Sequence, residues 1–323
     1  MNGKIQIPAL LAWALIVASC HPEPFVSENF DIPATLAQAQ AIAAPLAENP
    51  AINSMAVLGG SFALPAALIQ AGNTADALSD LTSALGRTLS YNAALGKYEF
   101  SATSSAPSTT VRFVLYTVDR DLGIVNEPLD SIGYLDLAPT ATPSLMVTAT
   151  IAGATQVEYE AELSGSLTVG SLEHLISGSV AGTGQTSTIS LGQTFSQTQG
   201  IDLSYALTHG TVTGTLDIGF DPTTAKATTS FALTSQGTQV KIVVTGDLQS
   251  ISGTITVNDQ TAMTISGSAA NPTFAFEDGS EISQENLNDL NALYQIPAAI
   301  LQHVDALLSA SYWVYGLGIF FNQ

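Results

Sequence analysis

The strongest constraint on this chain is a change in hydrophobic period. From about Tyr91 to Phe276, apolar and polar residues alternate one by one. Val157, Tyr159, Ala161 and Leu163 alternate with Gln156, Glu158, Glu160 and Glu162. Ile201, Leu203, Tyr205 and Leu207 alternate with Asp202, Ser204 and Thr208, and Val212, Gly214, Leu216, Ile218 and Phe220 with Thr213, Thr215 and Asp217. A period of two collects the apolar side chains on one face of an extended strand, whereas a helix would scatter them around its axis. Such one-sided strands build antiparallel sheets that cover a core on one face and meet water on the other. Gly153, His209-Gly210, Asp221-Pro222, Gln236-Gly237 and Asn258-Asp259 supply turns between them. The spacing predicts roughly 11 to 12 strands joined as a meander of hairpins.

Helical patterns flank this region. Asp31 reads as an N-cap with Pro33 in the first turn of Ala34–Ala44. Pro65–Ala71, closed by Gly72, and Thr74–Leu85, stopped by Gly86, read as two further helices. After the Asp278-Gly279 turn, Ser283 reads as the cap of a helix carrying Leu287, Leu290 and Tyr294. Pro297 reads as the first turn of a second helix carrying Ile300, Leu301, Val304, Leu307 and Leu308. The apolar tail Tyr312–Phe321 is expected to pack on the sheet.

A loose repeat, aliphatic then Ser or Thr then Gly, runs through the strands. It recurs at Leu163-Ser164-Gly165, Ile176-Ser177-Gly178, Val212-Thr213-Gly214, Val244-Thr245-Gly246, Ile251-Ser252-Gly253 and Ile265-Ser266-Gly267. The alternation places each glycine on the apolar face. A missing side chain there leaves room for a helix or a ligand, or lets the sheet bend.

Charge excludes one class of partner. Seven Lys and Arg stand against 27 Asp and Glu, a net charge of -20. A phosphate backbone needs clustered cations, so nucleic acid is excluded as a partner. The same balance disfavours electrostatic docking on anionic lipid. Hydrophobic residues make up 46% of the chain, enough for a core. With one cysteine no internal disulfide can form, so burial must hold the fold.

That cysteine, Cys20, closes a leader. Met1–Lys4 carries one positive charge, and Ile5–Val17 is an apolar run too short to span a bilayer comfortably. Val17-Ala18-Ser19-Cys20 follows, with small residues at the two positions before the cysteine. These residues resemble the lipobox of bacterial lipoproteins. The resemblance implies that residues 1–19 are removed as a signal peptide and that Cys20 carries the acyl chains. The chain would then be attached to a membrane through the lipid anchor on Cys20, with no transmembrane helix. His21 stands where many inner-membrane lipoproteins carry an aspartate, which points to the outer membrane. Residues 20–30, with Pro22 and Pro24, read as a tether.

Catalytic patterns are weak. Gly59-Gly60-Ser61-Phe62-Ala63 misses the last glycine of a nucleophile elbow and lacks the βα alternation that would surround one. Its base would be His174, His209 or His303. Asp119, Asp121, Glu127 and Asp130 could offer oxygen ligands to Ca²⁺, but Arg120 interrupts them and no calcium-loop pattern is present. Glu158, Glu160 and Glu162 share one strand face and read as solvated. The histidines lack zinc-ligand spacing. Tyr312, Trp313 and Tyr315 read as core anchors rather than a membrane belt. No catalytic residue, metal or cofactor is assigned, and the chain is expected not to be an enzyme.

These readings combine into an α+β fold, with residues 31–323 as one domain. It comprises a helical part at 31–86, a β-rich part at 91–277 and a helical part at 282–321. A large curved antiparallel meander sheet, an open half-barrel, packs on the N- and C-terminal helices. In layout alone this is similar to the carrier and receptor proteins of bacterial lipoprotein sorting, whose curved sheet and helical lid enclose an acyl chain. The functional expectation is a lipid-anchored envelope protein that holds a hydrophobic ligand between sheet and helices. The alternative is a structural or adhesive lipoprotein with a packed core and a hydroxyl-rich working surface. A transmembrane barrel is disfavoured, because the second strand face is polar and aromatics are few.

Overall fold

The computed structural model describes residues 30–58, 81–119, 122–140, 144–165, 171–182, 184–196 and 200–315. Asp31 accepts from Ala34 N at 3.0 Å and starts helix α1, Ile32–Ala47. Asn49 accepts from Ala51 N and Ile52 N and starts α2, Pro50–Ala56, an element the hydrophobic pattern does not reveal. The signal for α2 was its Asn-Pro start, a cap residue followed by a proline whose missing N–H costs nothing there. Pro65–Ala71 and the first part of Thr74–Leu85 lie outside the described residues. Residues 81–83 are helical, and Gly86 follows at φ 78°.

The strands then form one sheet. In chain order they are β1 (Thr88–Asn92), β2 (Lys97–Phe100), β3 (Val111–Tyr116), β6 (Ser131–Pro139), β7 (Ser144–Ile151), β8 (Ala154–Gly165), β9 (Ser171–Ala181) and β10 (Thr186–Ser196). They continue with β11 (Gly200–His209), β12 (Val212–Asp221), β13 (Lys226–Ser235), β14 (Thr238–Gly246), β15 (Ile251–Val257), β16 (Gln260–Ser268) and β17 (Asn271–Phe276). A separate ribbon, β4 (Val118–Asp119) with β5 (Ile124–Val125), branches off between β3 and β6.

Among the described residues the sheet has 15 strands, more than the 11 to 12 expected. Part of the excess lies in β1 and β2, where strands of five and four residues are too short to display a clear period. From β6 to β17 every strand pairs antiparallel with its sequence neighbour, as the meander predicts. The exception is β1, which pairs parallel with β3. The expected turns are present: Gly153, Gly210, Gln236-Gly237 and Asn258-Asp259 all adopt positive φ.

The sheet is not closed; β2 and β17 are its two ends. Its register shifts at Leu115/Tyr116, Ala149/Thr150 and Ile255/Thr256. Such irregularities increase local twist and let a sheet curl. The result is the α+β half-barrel the sequence predicts. A continuous belt of paired, buried side chains lines its inner face, from Ala161 through Ile176, Leu191, Tyr205, Leu216 and Phe231 to Phe276.

The helices fill the concave side. Ser283 caps the C-terminal helix α3, Gln284–Tyr315. This is one helix and not two: Pro297 sits inside it. A proline there forfeits one intrahelical hydrogen bond. Leu290 and Leu293 before it, and Ile300, Val304 and Leu307 after it, are all buried. Burying that continuous stripe outweighs the lost bond. Helices α1 and α2 pack on α3; α1 also meets β9 and β11 to β13, and α3 meets β7 and β17. Val314 is buried, while the side chains of Tyr312, Trp313 and Tyr315, and residues 316–323, lie outside the described residues. No helix among the described residues is long and apolar enough to cross a membrane.

Candidate functional site

Sequence reasoning points to the space between sheet and helices, and polar groups there reveal how it is built. Asn49, almost wholly buried, donates to Gln156 O at 3.3 Å and Ala181 O at 3.0 Å while capping α2. One side chain thus ties a helix start to β8 and β9. Tyr159, on the inner face of β8, donates its hydroxyl to Leu307 O of α3. Ser309 on α3 donates to Met55 O at 2.9 Å. Ser54 Oγ accepts from Tyr116 N at 3.1 Å. These contacts fix the helices against each other and against the sheet.

The inner-face glycines divide into two roles. Gly214 faces α1, and a Cβ there would stand 2.7 Å from Ile42 Cγ2. Its bare backbone is what lets the helix approach, as expected. The other five repeat glycines face strand backbone instead. At Gly178 a Cβ would meet Glu158 O at 2.1 Å and Tyr159 Cβ at 2.5 Å, and Gly253 faces Val243 O in the same way. There glycine serves close strand approach and bending, not a ligand.

The helices do not cover the inner face evenly. At the end of the half-barrel formed by β10 to β14, Ile201 and its pair partner Phe220 are 37% and 41% exposed. Both belong to the apolar face by alternation. Ile218 and Val244, one row deeper, are half-buried. An open apolar lip therefore leads towards the buried row of Leu191, Tyr205 and Leu216. Behind it three polar side chains sit on the inner face of consecutive strands: His174 on β9, its pair partner Gln193 on β10, and Tyr205 on β11. Burial pushes the His174 imidazole down to about 4, so it is neutral at physiological pH. Burial also pushes the Tyr205 phenol well above its ordinary value.

Among the described residues, a nucleophile-and-base contact forms that sequence reasoning missed. Ser187 Oγ lies 2.8 Å from His209 Nδ1 across β10 and β11. Only strand register could have found it, because Thr188 pairs with Thr208. Ser187 is completely buried, so no substrate carbonyl reaches it, and the contact functions as a cross-strand link. The elbow-like Ser61, and Cys20, where sequence reasoning expects the acyl chains, lie outside the described residues. His303 is buried on α3.

On the outer face, Glu158, Glu160 and Glu162 are exposed. Glu160 and Glu162 border a shallow open depression of about 440 Å³ with Leu175 and Gly192. Gly192 and Ser204, both small, leave this hollow in the outer face. A second depression of about 420 Å³ adjoins it, sharing Gly192 and Ser204, with Glu173, Asp202 and Asp217. Neither carries an aromatic platform for a sugar. In the acidic loop, Asp119 accepts from Leu122 N at 3.0 Å, while Asp121 lies outside the described residues. Among the described residues, no three metal-binding side chains converge.

No family model, curated protein or solved structure significantly matches the chain.

Proposed function

We propose that this is a non-catalytic lipoprotein of the bacterial envelope, anchored through acylated Cys20 in the outer membrane, that holds an apolar ligand between its sheet and helices. The observation that carries the ligand reading is the lip at the β10–β14 end, where Ile201 and Phe220 stay exposed although they belong to the core-facing side. A protein that used its inner face only for packing would gain by burying them, roughly 25 cal/mol for each Å² removed from water. The anchor reading rests on Val17-Ala18-Ser19-Cys20 alone.

A second reading has its own support. The outer face carries hydroxyl ladders, with Thr208 against Thr213 at 3.1 Å and Thr228 against Thr245 at 3.0 Å. The contact of Ile42 with Gly214 fills the interior at that row. In that case the protein is a structural or adhesive lipoprotein working through its exterior.

Two measurements test the proposal. Cells fed an alkyne fatty acid should label the wild-type chain and leave Cys20→Ser unlabelled and released from membranes; equal labelling would remove the anchor. Native mass spectrometry of the full chain, extracted from membranes, should show a lipid adduct beyond the covalent acyl groups, lost on organic extraction. A mass explained by covalent acylation alone would favour the exterior-surface reading.

A further inference from the structure

The carrier reading leaves the ligand's chemistry open, and Tyr205 narrows it. Its side chain is 2% exposed, and among the described residues its hydroxyl meets no hydrogen-bond partner. A buried hydroxyl without a partner is costly and uncommon. Tyr159, on the same inner face three strands away, shows the ordinary solution by donating to the α3 backbone. The pair partners of Tyr205, Leu191 and Leu216, can accept nothing with their side chains. Tyr205 lies four residues along β11 from the exposed Ile201, roughly 14 Å at strand rise. That is within the length of a medium acyl chain entering by the lip.

The wall around it is also uncharged. The basic residues of this part of the sheet, Lys226 and Lys241, alternate with the inner-face residues Ala227 and Ile242 and so point outward. On the same face, His174, two strands away, is held neutral by burial, and His209, four residues along β11, is engaged by Ser187 Oγ at 2.8 Å. An ionised carboxylate or phosphate brought here would lose its hydration with no cation to replace it.

We propose that the ligand is a neutral lipid bearing a hydrogen-bond acceptor, such as an acyl-ester carbonyl, and that the Tyr205 hydroxyl donates to that acceptor. The proposal rests on the carrier reading above.

The test uses the full chain after organic extraction, with methyl palmitate, palmitate and hexadecane as separate probes counted by native mass spectrometry. Wild type is compared with Tyr205→Phe, which keeps the ring and removes only the hydroxyl. Methyl palmitate should bind one per chain, and Tyr205→Phe should weaken it about fivefold, the scale of one hydrogen bond. Hexadecane should bind both proteins equally, which also shows that the variant keeps its interior. Equal ester binding by both proteins would assign the hydroxyl to an internal water and overturn the proposal while sparing the carrier reading. Palmitate bound more tightly than its ester at pH 8 would overturn the neutral class. Binding of none of the three would remove the carrier reading itself.

Discussion

His174 shows how one residue can set the acid limit of the fold. It is fully buried on the inner face of β9, and its folded pKa of about 4 lies below the ordinary value of 6.5. As pH falls, the unfolded chain therefore binds the proton first. The stability tied to the neutral ring is present in full above about pH 6.5, is lost as pH falls towards 4 and levels off below that. The loss is on the order of 3 kcal/mol across the window. Urea midpoints of wild type and His174→Leu should diverge in slope between pH 6.5 and 4, with the leucine variant flatter. Parallel curves would mean that the ring takes up its proton in the folded chain over the same pH range as in the unfolded one. Sequence alone could place His174 at an alternating apolar position, but not tell a buried ring from an exposed one. The same limit applies to the glycines: alternation identified their face, while only the packed helices singled out Gly214.

At the scale of elements, what was legible depended on length. The strands from β8 to β14 are nine to twelve residues long and display their period plainly. The caps Asp31 and Ser283 were legible because capping is local chemistry. Helix α2 was not, since seven residues carry too few turns to show an apolar stripe. The break expected at Pro297 failed for the opposite reason, as tertiary burial on both sides overrode a local penalty. Asn49 connects these levels, because its acceptor caps α2 while its donors bind β8 and β9. Asn49→Ala should cost about 2 kcal/mol through the lost cap and two stranded carbonyls. Asn49→Asp keeps the cap but turns a buried carboxylate towards two carbonyl oxygens, and should cost about 3 kcal/mol at neutral pH. Because protonation relieves that repulsion, the gap to wild type should narrow at pH 4. Urea midpoints at pH 7 and pH 4 give both numbers. An aspartate variant as stable as wild type at pH 7 would show that the carbonyl contacts contribute nothing.

For the whole molecule, the order of elements makes α3 the closing piece. A single sheet layer cannot bury its apolar face by itself. From β7 to β17 the meander pairs each strand with the one before it, so this part of the sheet can grow hairpin by hairpin while its inner face still waits for a cover. That cover arrives from the far end of the chain: Ser309 of α3 reaches Met55, 254 positions away, and Tyr159 of β8 reaches Leu307, 148 positions away. Leu290, Leu293, Ile300, Val304, Leu307 and Leu308 are all buried on α3. At roughly 2 kcal/mol each for burial, they contribute about 12 kcal/mol before the entropy of ordering the helix is subtracted. That gross figure is as large as the whole net stability of a typical domain, about 5–15 kcal/mol. A chain ending at Glu281 should therefore lose its cooperative urea transition and its near-ultraviolet circular dichroism. It should keep some strand signal in the far ultraviolet and bind anilinonaphthalene sulfonate strongly through its uncovered inner face. A truncated chain that unfolds in one sharp step and ignores the dye would place the source of stability in the sheet's own ladders, and α3 would then be a lid laid over a structure already complete.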